Sequence, residues 1–218
     1  MPRSRKGNPG MKYVFLHGLG QTAASWDGVV PLVDGPAEVL CPDLSRLLRG
    51  REVDYPNLYA AFCEYCGELS EPLNLCGLSL GGVIALQYCL EHPEKVRAMA
   101  LIGTQYVMPK GLLKVQNAVF HLLPARAFQD MGFEKRDVIR LSNSMMELDF
   151  RRDLKRITCP VLVMCGEKDK ANRQAAIQLA EQIPSAEFAG IAGAGHEVNT
   201  QAPRELGRAL DSFFRGIK

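Results

Sequence analysis

Short apolar runs alternate along the chain with longer stretches in which apolar residues recur every three or four positions. The runs Lys12–Leu16, Ala37–Cys41, Leu73–Cys76, Val96–Ile102, Pro160–Cys165 and Glu187–Ile191 predict strands, and several are apolar almost throughout, as strands covered on both faces must be. Helical periodicity marks Leu58–Leu69, Leu80–Glu91, Asn172–Ile183 and Pro203–Phe214, where Leu206, Leu210, Phe213 and Phe214 share a face. Strands alternating with helices predict an α/β fold, a doubly wound and mostly parallel sheet of about six strands. In that architecture the loops at the carboxyl ends of the strands carry the site. One interval departs from the alternation. Residues 106–151 hold helical stretches such as GLLKVQNAVFHLL, closed by Pro124, and KRDVIRLSNSMMEL, but no strand. They predict a short helical lid inserted over the carboxyl edge of the sheet, within a single domain spanning 11–218.

Composition narrows the class. The chain has 218 residues, 47% hydrophobic and 23% charged, enough for one substantial core. Lysine and arginine number 26 against 24 acidic residues, a balance that points to no nucleic acid and no anionic surface. The longest apolar stretch, Gly82–Leu90, falls far short of the roughly 20 residues of a membrane span. The first ten residues, MPRSRKGNPG, run into Met11 without the apolar region of a secretory signal; they read as a flexible leader. Seven cysteines, an odd number scattered through apolar segments, fit a reducing cytoplasm. Cys63 and Cys66 form a C-x-x-C, but in mid-segment and not at a strand-to-helix junction, so they read as helix packing.

Candidate chemistry begins after LNLC, with Gly77-Leu78-Ser79-Leu80-Gly81-Gly82 leading into an apolar helix. A serine on so sharp a strand-to-helix turn needs residues without side chains two positions before and after it, a demand that Gly77 and Gly81 meet. The helix N-terminus then favours a developing oxyanion. A serine hydroxyl is a weak nucleophile and needs a base, itself held by an acid. Of four histidines, His17 directly follows the first strand and reads as shaping its loop; His92 ends the helix that Ser79 starts, and His121 lies in the insertion. His196, in GAGHE just past the last strand, is the candidate base. The acid should also follow a strand. Asp169 in CGEKD is the candidate, with Glu167 in the same loop as its competitor. An oxyanion hole needs two backbone amides. Leu80 supplies one, and the His17-Gly18-Leu19-Gly20 turn the other, through Leu19 or its neighbour Gly20.

HGLGQTAASW, CPDL, GLSLGG, GEKD and GAGHE, in this order and spacing, resemble the α/β-hydrolase family from about Met11 to Phe214. The resemblance implies a Ser79–Asp169–His196 triad, oxyanion amides on Leu19 and Leu80, and a variable lid at 106–151. It makes Ser25 and Trp26 packing residues under the site. The family usually has two more strands before the one that bears His-Gly, so six strands are expected here. The implied chemistry is acyl transfer to water with neither metal nor organic cofactor, on a small-molecule ester. Val115, Val119, Phe120, Leu122, Leu123, Met145 and Met146 of the lid either meet an uncharged, hydrophobic substrate group or seal the lid on the core. A carbon–carbon bond hydrolase, thioesterase, haloperoxidase or lyase would keep the same triad, and a ligand-binding receptor the same fold.

Overall fold

Along the first strand Tyr13 and Phe15 face one layer of side chains and Val14 and Leu16 the other, and all four are buried. The same two-sided burial recurs in every central strand, so the sheet is a middle layer between two coats. The computed structural model describes residues 11–33, 38–69, 72–129 and 131–217. Its strands are β1 (Lys12–Leu16), β2 (Glu38–Leu40), β3 (Leu73–Leu78), β4 (Val96–Ile102), β5 (Val161–Gly166) and β6 (Ala186–Ile191). They form one sheet in the order β2-β1-β3-β4-β5-β6, every described pairing parallel. The expected leader at 1–10, and Ala37 of the expected second strand, lie outside the described residues.

The helices are α1 (Leu44–Leu47), α2 (Tyr55–Gly67), α3 (Leu80–Glu91), α4 (Lys110–Leu122), α5 (Lys135–Ser144), α6 (Arg173–Gln182), α7 (Val198–Gln201) and α8 (Pro203–Gly216). Residues of α2, α3, α5 and α6 share one apolar cluster with one sheet face. Those of α7 and α8, together with Trp26, share the other. Trp26 is fully buried and meets Phe15 edge-on at 5.1 Å, a packing position as expected. Two elements start or end away from the expected bounds for local reasons. Helix α2 begins at Tyr55, earlier than its apolar periodicity, because the Asp54 carboxylate accepts the Asn57 amide at 2.8 Å and Pro56 suits a first turn. Strand β3 runs on to Leu78, carrying its ladder to the residue before Ser79. Cys63 and Cys66 lie within α2, and all seven cysteines are free thiols.

Between β4 and β5 the chain leaves the sheet for α4 and α5. The two ends of this excursion are stitched at its root, where Phe150 N–H donates to the Tyr106 carbonyl at 2.9 Å and Met108 N–H to that of Leu148 at 3.1 Å. Among the described residues no helix is long and apolar enough to cross a membrane.

Strand order reverses beside β1: the chain moves outward to β2, then returns to place β3 on the other flank of β1. The loops leaving β1 and β3 therefore diverge, opening a crevice at their carboxyl ends, where open α/β sheets bind ligands.

Candidate active site

Ser79 is the single residue between β3 and α3, and its backbone sits at φ 52° and ψ −113°. That left-handed conformation is unusual for a residue with a side chain. The surroundings hold it there. Ser79 N–H donates to the Ile102 carbonyl at 2.8 Å and its carbonyl accepts from Val83 at 3.0 Å. A Cβ on Gly77 would strike the backbone of Gly81, and one on Gly81 the carbonyl of Leu16; both glycines are steric necessities of the turn. Gly82, which the pattern of the turn did not single out, is a third, since a Cβ there would overlap the Thr104 hydroxyl.

The turn after β1 passes directly over this elbow, with Gly18 so close that a Cβ would lie 2.8 Å from the Leu78 side chain. Gln21 N–H closes it onto the Gly18 carbonyl at 3.2 Å, with Gly20 at φ 87° in the position that demands glycine. His17 is buried beneath. Its Nε2 accepts the Leu44 amide at 3.0 Å, which leaves Nδ1 to donate to the Gly18 carbonyl at 2.9 Å. Burial holds its pKa below the ordinary value, so His17 is a neutral pin between two loops. The Gln21 side chain extends the structure: its carbonyl accepts from Gly18 N–H at 3.3 Å, and its amide exchanges two 3.0 Å hydrogen bonds with Asn199. Asn199 also donates to Ser25 Oγ at 3.0 Å.

The loops after β5 and β6 bring Asp169 and His196 together, with His196 Nδ1 2.7 Å from Asp169 Oδ2. Asp169 is buried, whereas the His196 side chain remains 40% exposed. Asn172 Nδ2 donates to both Asp169 oxygens at 2.9 Å, while Gln105 Nε2 donates to Asn172 Oδ1 at 2.8 Å. Because that amide nitrogen is a donor, its 3.1 Å approach to His196 Nδ1 adds no bond, and the Nδ1 proton belongs to Asp169. His196 Nε2 is then the acceptor nitrogen. Burial by itself would raise the Asp169 carboxyl; the hydrogen bonds from His196 and Asn172 outweigh it and hold the pKa below 3.8. Glu167, the competitor, is exposed, and its Cγ lies beside Gly190. Gly103, at φ 55°, leaves the space for this pair: a Cβ there would lie 3.1 Å from the imidazole.

Ser79, Leu19, Leu80, Asp169 and His196 all line one cavity of about 380 Å³. Leu80 opens α3, so its N–H falls outside the helix's own ladder. Val83, Gln105, Met108, Leu112, Leu113, Ser142 and Met145 are among the remaining lining residues, and no lysine or arginine is. A larger hollow of about 780 Å³, between His121 and Ile139, shares no lining residue with it and holds no serine or cysteine. Among the described residues no group of three or more His, Cys, Asp or Glu side chains could hold a metal ion. Of the seven apolar residues singled out between 106 and 151, Met145 alone reaches the cavity. Phe120 packs on Phe128 at 5.6 Å, Met146 is half-buried, and Val115, Val119, Leu122 and Leu123 are exposed. Most of them thus neither line the site nor seal the core. Gln105, Asn172, Gln21 and Asn199 carry no pattern in the sequence; their only signal was proximity to the ends of strands.

The model of a family described as the alpha/beta hydrolase family matches residues 13–209. The chain is 28% identical to the pimeloyl-[acyl-carrier protein] methyl ester esterase of Aeromonas hydrophila, over 94% of this chain and 95% of that protein. Among solved structures it is similar to a thermophilic esterase from Thermogutta terrifontis, with a TM-score of 0.76 and 18% identity over 97% and 92% of the two chains. It is equally similar to a bromoperoxidase from Bacillus anthracis, with a TM-score of 0.78 and 17% identity over 96% and 93%. An esterase and a bromoperoxidase fit the backbone alike, so the fold does not choose the reaction.

Proposed function

The chain belongs to the alpha/beta hydrolase family, and on that premise we propose that it is a serine hydrolase cleaving a small, uncharged, largely apolar carboxylic ester by acyl transfer to water. The observation that carries this reading is Ser79, held at a strained elbow in the same cavity as an imidazole whose far nitrogen is bonded to a buried carboxylate. In the proposed mechanism Ser79 Oγ attacks the ester carbonyl while His196 Nε2 takes its proton. Asp169 keeps the imidazole in the tautomer that can accept and offsets the charge it gains. The amides of Leu19 and Leu80 receive the oxyanion. His196 returns its proton to the departing alcohol, and water, activated by the same imidazole, hydrolyses the acyl-enzyme. Residues 106–151 act as the lid of a single domain.

Two observations support an uncharged ester over the other reactions open to such a triad. An anionic substrate would have to bury its charge in a cavity lined by no lysine or arginine and by the carboxylate of Asp169. The Aeromonas relative is named as an esterase of a methyl ester. Ser79→Ala tests the reading: it should abolish both hydrolysis of a short-chain ester and labelling by a fluorophosphonate. Persistent labelling at another serine would remove Ser79 from the mechanism. Acylation that bursts and stalls in the unmodified protein would replace the enzyme with a receptor.

A further inference from the structure

Asn172 directly precedes Arg173, the first residue of α6, in the position where an asparagine ordinarily turns its side chain back to cap its own helix. This one makes no such bond. Its Nδ2 donates instead to both oxygens of Asp169, at 2.9 Å each. An ionised carboxylate only accepts, so the amide must face it with its nitrogen and turn its oxygen away. That oxygen accepts from Gln105 Nε2 at 2.8 Å. The direction of every bond from Gln105 through Asn172 to Asp169 is thus set by the charge at the end of the chain.

The last torsion of an aspartate or asparagine side chain is broad, so neither group fixes its own plane. A donor shared by two oxygens does. With Asn172 across both oxygens of Asp169, Oδ2 stays aimed at His196 Nδ1, 2.7 Å away. Gln105 in turn keeps the Asn172 amide from turning. Burial disfavours the Asp169 carboxylate, and the donors from His196 and Asn172 outweigh it. Gln105 comes from the loop after β4 and Asn172 from the loop after β5, and both line the cavity with Ser79.

We propose that Asn172 and Gln105 are positioning residues of the triad: Asn172 locks the plane and the charge of Asp169, and Gln105 locks Asn172. The inference deepens the serine-hydrolase reading and rests on its triad. Both residues act through Asp169 and His196, so their loss lowers kcat and leaves KM nearly as it was. The backbone N–H of Asn172, 3.3 Å from Asp169 Oδ1, survives any substitution, and variants therefore isolate the side chain.

The test measures, for each variant, the rate at which a fluorophosphonate labels Ser79, and kcat and KM on para-nitrophenyl butyrate. Asn172→Ala should slow labelling and lower kcat by about tenfold, equivalent to about 1.4 kcal/mol and within reach of one hydrogen bond to a charged group. KM should change by less than about twofold. Asn172→Leu keeps the volume of the side chain without its donor and should lose as much, whereas a residue that only filled space would be rescued; it also replaces the alanine variant should that one not fold. Gln105→Ala should cost about fivefold alone and nothing further beside Asn172→Ala, as groups acting in series do. Parental labelling rates in the Asn172 variants, or a Gln105→Ala loss that persists in full beside Asn172→Ala, overturn the proposal. So does a loss confined to KM, which would make the two amides substrate contacts. Labelling needs only an activated serine: a labelled parent that turns over no ester overturns the ester-hydrolase reading alone, and an unlabelled parent overturns both.

Discussion

Asp169 shows how two opposed forces set one residue's role. Its burial favours the neutral acid, but donors from His196 and Asn172 favour the carboxylate more, and the pKa lies below 3.8. The carboxylate therefore stabilises the fold fully above that value, and the contribution is lost as pH falls through the depressed native pKa. Asp169→Asn should leave the protein folded but lower its thermal midpoint at pH 7, since the stabilising carboxylate is lost, while lowering kcat roughly ten-thousandfold, since the amide favours the wrong imidazole tautomer. Glu167→Gln, on an exposed side chain, should change kcat by less than about twofold. A collapse in Glu167→Gln with normal turnover in Asp169→Asn would exchange the two roles. His17 works in the opposite direction of charge. Its native pKa is lowered from 6.5 by burial, so the unfolded chain takes up a proton that the folded chain refuses. Stability is complete above about pH 6.5 and declines below it, because a protonated Nε2 would point a donor at the Leu44 amide. Thermal midpoints measured from pH 7.5 down to 5 should fall more steeply in the parent than in His17→Gln; equal slopes would mean that His17 is not held neutral.

Among the elements, the four-residue helix α7 ties the loop of His196 to the turn over the elbow. Gln201 at its end accepts the Gly195 amide at 2.6 Å, just before His196. Asn199, two residues earlier in the same helix, pairs with Gln21, whose side chain holds the Gly18 amide. Both amides of the Gln21–Asn199 pair are buried, so removing one leaves the other unsatisfied. Each single alanine variant should lower kcat on a short-chain ester by about tenfold and lower the thermal midpoint. The double variant should cost less than the sum, with a coupling of about 0.5–3 kcal/mol in a double-mutant cycle. Strict additivity would make the two residues independent. None of this was readable in the chain, because the partners stand 178 positions apart and α7 is too short for a helical period to register. The four exposed apolar residues of the α4 segment were misread for a related reason: periodicity identifies an apolar stripe but not what, if anything, covers it.

For the molecule as a whole, seven free cysteines give a direct test of the expected reducing environment. Thiol titration of the unfolded protein, purified without reductant, should count seven. Burial pushes the Cys66 thiol up to about 12, so the C-x-x-C resists oxidation in the native state. Cys89 and Cys159, with sulfurs 3.6 Å apart, are the nearest to bonding, and a count of five would locate an oxidised pair. Local chemistry along the chain determined the sheet, because strands buried on both sides must be apolar throughout and helices must repeat near 3.6 residues. It also determined the elbow, because only glycine at 77 and 81 lets β3, α3 and β1 approach so closely. The order of strands, the choice of Asp169 over Glu167 as the neighbour of His196, and the Asn172 and Gln21–Asn199 supports were decided by tertiary structure. Each depends on which side chains the fold brings together, and pairings such as Asp169–His196 across 27 residues or Gln21–Asn199 across 178 leave no period in the sequence to read.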